Sequence, residues 1–211
     1  MSTIDTFELK KEQYKLASKV QLRDGFDKIK TVAGISTVFS GDNILACVVV
    51  CELPSLKVLE KQTYLLSNPL PYQLGYLAYR DMPAMIEAYN LLEEEPDVIF
   101  VEGSGINHPR RIGLASHLGL ALNKSTIGVT RKLTFGQVNE GKIIFNNEVS
   151  GFEIKTREHA NPIYISPGHL VTLGSSLDLI KRTIQYPHKM PEPLHLAHKI
   201  AKKKIKEKNS L

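Results

Sequence analysis

Apolar positions along this chain recur with two periods, and the switches between them predict the elements. Over residues 6–22, Leu9, Leu16, Ala17 and Val20 fall on one helical face, with Gln13 a polar gap in it. Phe7 and Tyr14 lie off that face. Residues 24–30 are a polar connection. Three strand-like runs follow, at 31–39, 44–53 and 56–66. Ser40-Gly41-Asp42-Asn43 is a hairpin signal between the first two, and Leu53-Pro54-Ser55 turns the second into the third. A helix is predicted over 76–94, ended by Pro96-Asp97, then a central strand over 97–102. A second helix is predicted over 109–122, with Pro109 in its first turn, then a short buried strand over 125–129. Residues 142–166 read as a hairpin, turned at Asn146-Asn147, plus a strand. A helix over 173–184 and a C-terminal helix after Pro191-Glu192-Pro193 complete the pattern. A three-strand antiparallel meander followed by helix, strand, helix, strand implies a mixed α/β sheet flanked by helices.

Neither internal repeats nor a linker interrupt the 211 residues, so a single domain over 1–211 is expected. No apolar run approaches the roughly 20 residues of a membrane span. The first residues, MSTIDTFELKKEQYKL, hold no signal-peptide core. A cytoplasmic, monomeric protein is expected. Cys47 and Cys51 lie four apart in a strand-like run, about 13 Å and too far for a disulfide. No second Cys or His group has zinc-site spacing around them, so buried free thiols are expected. The net charge of +5 permits a polyanionic partner without demonstrating one. Part of it sits in a Lys-rich tail at about 199–211, which reads as a solvated helix face or a frayed end, ahead of a dedicated phosphate clamp.

Residues 101–120, VEGSGINHPRRIGLASHLGL, carry the most chemistry. The apolar run 98–101 ends in Glu102, then come Gly103, Gly105, His108 and the pair Arg110–Arg111. A carboxylate at a strand end can hold a hard divalent cation. Glycines let backbone approach a ligand. Paired arginines suit phosphate oxygens. The order describes a place where a metal and a phosphodiester could meet. P-loop and dinucleotide signatures are absent, and Gly103-Ser104-Gly105 lacks the spacing of a nucleophile elbow.

The same stretch resembles the endonuclease V family, the deoxyinosine 3′ endonucleases. The resemblance continues in order through TVAGISTVF at 31–39, LPYQLGYLAYRDMPA at 70–84, TIGVTRK at 126–132, ANPIYISPGHL at 160–170 and MPEPLHLAH at 190–198. It covers roughly 10–205 and implies a ribonuclease H-like mixed sheet, the meander followed by parallel strands. The implied activity is Mg²⁺-dependent hydrolysis, with Mn²⁺ a substitute, of the second phosphodiester 3′ to a deaminated base. The implied partner is DNA containing deoxyinosine, in repair.

The resemblance also assigns residues. The family's metal set is an Asp on the first strand, a Glu on the first long helix, an Asp ending the central strand, and an Asp or His on the last helix. The matching positions here are Ser36, Asp81, Glu102 and His198. Asp81 and Glu102 exchange lengths, about one methylene each, so the changes could compensate. Ser36 is the serious departure, since it removes a negative charge where cations should sit. Arg131 matches the family's active-site lysine, with Lys132 beside it. Arginine keeps the charge but cannot donate a proton as lysine does. Tyr72 matches the wedge that fills the gap left by a flipped base, although Leu74 replaces a second proline there. Gly75, Leu77, Gly103 and Gly105 match the base pocket, and His108 a residue beside the scissile phosphate. Arg110, Arg111 and Arg131 are expected on phosphates. Two alternatives follow: an inosine- or structure-selective binding protein that has lost turnover through Ser36, and an inosine-directed ribonuclease.

Overall fold

The computed structural model describes residues 5–209. The first element, α1 (Thr6–Ala17), starts where Asp5 accepts the backbone N–H of Phe7 at 3.0 Å. It stops five residues short of the predicted end, and the polar gap Gln13 is its one buried residue. The meander is β1 (Thr31–Ser40), β2 (Asn43–Glu52) and β3 (Val58–Ser67). Ser40 pairs with Asn43 across a two-residue turn whose Gly41 has φ +52°, a conformation that favours glycine.

After α2 (Leu77–Asn90), β4 (Val98–Glu102) pairs parallel with β1. After α3 (Leu114–Leu122), β5 (Ser125–Thr130) pairs parallel with β4. Then come β6 (Gln137–Asn139), β7 (Lys142–Phe145), β8 (Glu148–Ile154), β9 (Ile163–His169), α4 (Leu173–Arg182) and α5 (Glu192–Asn209). One nine-stranded sheet runs β3-β2-β1-β4-β5-β9-β8-β7-β6, with β9 antiparallel to β5. This is the ribonuclease H-like mixed sheet. The exposed edge strand β6 has no apolar alternation and was not foreseen.

Both faces of the central strands are covered. Val32, Phe100, Cys47 and Val49 pack toward Leu179, Leu194 and Ala197 of α4 and α5. Ala33, Ile35, Ile99 and Val101 pack toward Ala84, Met85, Leu114 and Leu118 of α2 and α3. That explains why β2 and β4 read as unbroken apolar runs. The same alternation sorts the site residues. Ser36 and Glu102 share the parity of Val32 and Phe100 and emerge on the α5 face, whereas Thr37 emerges on the α2 face.

One expectation is corrected. The helix predicted from 109 begins at Leu114, because 103–113 folds back on itself. The Gly113 N–H donates to the Gly105 carbonyl and the Ala115 N–H to the Ser104 carbonyl, both at 2.9 Å. The Lys-rich end is regular helix to Asn209, with Ala201 and Ile205 buried under it, and only 210–211 fall outside the described residues. Its lysines form the outer face, and Lys204 donates to Thr63 Oγ1 at 2.8 Å. Cys47 and Cys51 are buried free thiols, both pushed up to about 12 by burial. No described helix is long and apolar enough to cross a membrane.

Candidate active site

β4 runs parallel to β1 and ends at Glu102, level with Ser36, while β1 continues to Ser40. The Glu102 carboxylate is ringed by donors. Ser36 Oγ donates to Oε2 at 2.5 Å, Arg131 Nε to Oε1 at 2.8 Å, and His198 Nδ1 lies 3.2 Å from both Oε2 and Ser36 Oγ. Burial pushes the Glu102 carboxyl up. The His198 hydrogen bond, the Arg131 charge and the Ser36 hydroxyl outweigh it and hold it at about 2.

Asp81 arrives on α2 from the opposite face. Its Oδ2 accepts Thr37 Oγ1 at 2.8 Å and its Oδ1 accepts Arg80 Nε at 2.6 Å. Burial keeps its carboxyl above the usual range despite Arg80, and Glu102 adds to the rise. The Arg80 guanidinium also lies 3.9 Å over the Phe39 ring and 5.0 Å from the Tyr72 ring centre. Tyr72, expected as the wedge, is 62% exposed.

Beside the carboxylates lies a cleft of about 100 Å³, lined by Tyr72, Gly75, Leu77, Gly103, His108 and Phe135 among others. Gly103 needs its missing side chain here, since a Cβ would stand 2.9 Å from Leu114. Gly105 does not line the cleft. It is forced to be glycine by packing, because a Cβ would stand 2.0 Å from the Pro167 carbonyl oxygen.

Gly75, at φ +80°, turns the chain between wedge and helix. Its carbonyl accepts three hydrogen bonds: Gln13 Nε2 at 3.0 Å, His108 Nε2 at 3.1 Å and Arg110 Nη2 at 2.7 Å. Arg110 Nε also donates to Gln13 Oε1, and its guanidinium lies 4.5 Å over the Tyr76 ring. Arg110 therefore braces the pocket from inside rather than reaching for phosphate. Arg111, at φ +56°, pairs with Glu148 at 2.5 Å. Of the expected phosphate cations, Arg131 is exposed and pairs with Glu102, and Lys132 next to it in the chain is exposed too.

His108 is buried, and burial followed by the Arg110 charge pushes it down to about 4. Near neutral pH it carries no charge. Its Nδ1 accepts the Arg110 N–H at 3.3 Å, so the proton sits on Nε2, facing the Gly75 carbonyl. It is a neutral strut of the pocket, not a cationic phosphate ligand.

The donor set does not fit a divalent ion. Every carboxylate oxygen of Asp81 and Glu102 already accepts a hydrogen, and each carboxylate has its own arginine. Among the described residues no group of three or more His, Cys, Asp or Glu is placed to hold a metal. Gln13 and Phe135 were missed as site residues. Only the polar gap in an apolar face pointed to Gln13, and nothing local pointed to Phe135.

A ribonuclease H-like sheet, with acids at the mouth of its parallel strands and a glycine-lined cleft beside them, defines a nuclease-type protein. The Endonuclease V family model matches residues 14–199. The endonuclease V of Dictyoglomus thermophilum is 32% identical over 209 residues, covering 95% of this chain and 90% of that protein. That of Thermosipho melanesiensis is 35% identical over 192 residues, covering 87% and 84%. The catalytic domain of human endonuclease V superposes with a TM-score of 0.88 at 25% identity over the whole of both chains. Ciona intestinalis endonuclease V, in complex with a 24mer DNA containing an inosine followed by a ribo-adenosine, superposes at 0.89 with 28% identity, covering 96% and 98%. The chain belongs to the endonuclease V family of endonucleases.

Proposed function

We propose that this protein recognises a deaminated base, deoxyinosine first, in DNA. Tyr72 enters the stack as the base leaves it, and the base is held in the cleft between Gly75, Leu77 and Gly103. The second phosphodiester on the 3′ side then lies against Glu102, Arg131 and Lys132, where the family's hydrolysis would occur. The protein would act as a cytoplasmic monomer, one domain throughout, in the repair of deaminated DNA. The carrying observation is the cleft itself: a preformed, glycine-lined pocket between an exposed aromatic and a strand-end acid. Flipping a weakly paired base costs a few kcal/mol, and an aromatic wedge offsets part of it.

One observation favours a second reading, binding without hydrolysis: Ser36 and Arg131 hold the Glu102 carboxylate that a cation would need. Mg²⁺ or Mn²⁺ could serve only if that carboxylate exchanged these partners.

The test is an end-labelled duplex with one deoxyinosine, or one ribo-inosine, incubated with Mg²⁺, Mn²⁺ or EDTA and read for both binding and nicking. Inosine-selective binding lost in Tyr72→Ala supports the recognition reading. A nick one nucleotide 3′ of the lesion adds hydrolysis, and stronger action on the ribose backbone redirects the substrate to RNA. Equal affinity for lesion and undamaged duplexes would overturn the proposal.

A further inference from the structure

We infer that the Arg131 guanidinium is the resident cation of this site, so that a nucleic-acid phosphate binds there without a divalent ion. The inference rests on the nucleic-acid reading above and deepens it. Two carboxylates, Asp81 and Glu102, face two guanidiniums, Arg80 and Arg131, each in a direct ion pair. The four charges cancel. Ser36 contributes none, although the family resemblance places an acid at its position. A hard cation is held by oxygen lone pairs facing it with net negative charge behind them, and both conditions fail here. Ser36 Oγ, at 2.5 Å, occupies one Glu102 oxygen, and Arg131 Nε, at 2.8 Å, the other.

An arriving phosphodiester asks for hydrogen-bond donors, and the guanidinium has donors left after its ion pair. Arg131 turns Nε inward to Glu102, yet its side chain is 43% exposed. The planar fork of arginine can serve a carboxylate on one edge and a phosphate on another. Lys189 lies within reach of the Arg131 charge, which after burial helps hold it below its usual range. Glu102 fixes the guanidinium in place, so its outward donors are presented without ordering an ion first.

The experiment uses the full chain and dye-labelled duplexes with and without one deoxyinosine, followed by fluorescence anisotropy in EDTA and in Mg²⁺. Mn²⁺ binding to the free protein is followed in parallel by electron paramagnetic resonance. The expected result is the same affinity in EDTA and Mg²⁺, with no Mn²⁺ retained at micromolar concentration. Arg131→Ala should weaken binding in EDTA by about tenfold or more, the scale of a lost charge-assisted hydrogen bond. Arg131→Lys should recover part of the loss, and it serves as the test variant should the alanine form not fold. Wild-type binding that tightens about tenfold with Mg²⁺, or stoichiometric Mn²⁺ uptake by the free protein, would overturn the inference. Failure of the lesion reading shows separately, as equal affinity for the two duplexes. The EDTA and Mn²⁺ comparisons retain their meaning in that case.

Discussion

Replacing Gln13 by Ala tests whether the first helix builds the base pocket. Gln13 is 1% exposed, and its amide is used at both ends, on the Gly75 carbonyl at 3.0 Å and on Arg110 Nε. The Gly75 carbonyl would keep His108 and Arg110, so it is not orphaned. Arg110 Nε would lose its acceptor. A hydrogen bond to a charged group contributes about 1.5–3 kcal/mol and a neutral one about 1 kcal/mol. Arg110 is half-buried, so water would recover part of this, leaving a loss of about 2 kcal/mol. For a chain of this size that lowers Tm by about 4–8 °C. The neighbouring Tyr14→Ala, at a side chain 56% exposed, should change stability by less than about 0.5 kcal/mol. Differential scanning calorimetry measures both, and inosine affinity should fall only in the Gln13 variant, because Gln13, unlike Tyr14, bonds the Gly75 carbonyl. A Gln13→Ala protein melting within about 1 °C of wild type, with unchanged inosine selectivity, would refute the reasoning.

Two glycines should respond to alanine with opposite signs. Gly105→Ala puts a Cβ 2.0 Å from a β9 carbonyl and should destabilise by about 1–3 kcal/mol, whereas Gly174→Ala, in α4 with nothing within 4 Å, should stabilise by up to about 1 kcal/mol; paired urea titrations read both. His108 should make stability depend on pH. Its folded value is about 4 against an ordinary 6.5, so between these values the unfolded chain binds a proton that the folded one refuses. The contribution is present above pH 6.5 and is lost as pH falls toward 4, up to about 3 kcal/mol. Urea midpoints for wild type and His108→Gln should converge over that window, and a gap independent of pH would sink the assignment.

Strand and helix identity was legible wherever burial has a regular period. The meander, β4, α2 and the later hairpin stand within a few residues of their expected places. Apolar alternation and turn residues act locally, so they survive in the linear text. The start of α3 was not legible, because backbone hydrogen bonds from 113 and 115 back to 104 and 105 outweigh the helix signal of Pro109. The strand-end acid, the glycines and the family were also readable from order and spacing. Charge pairing was not. Arg110 looked like a phosphate ligand and instead braces a carbonyl 35 residues away, and Gln13 looked like a flaw in a helix and is its anchor. Ser36 announced a missing charge, but only the fold brings Arg131 and His198 to the carboxylate that Ser36 faces. Side-chain periodicity is a property of neighbours in sequence. The partner of a buried polar group is chosen by whichever donor the packed layers bring within about 3 Å.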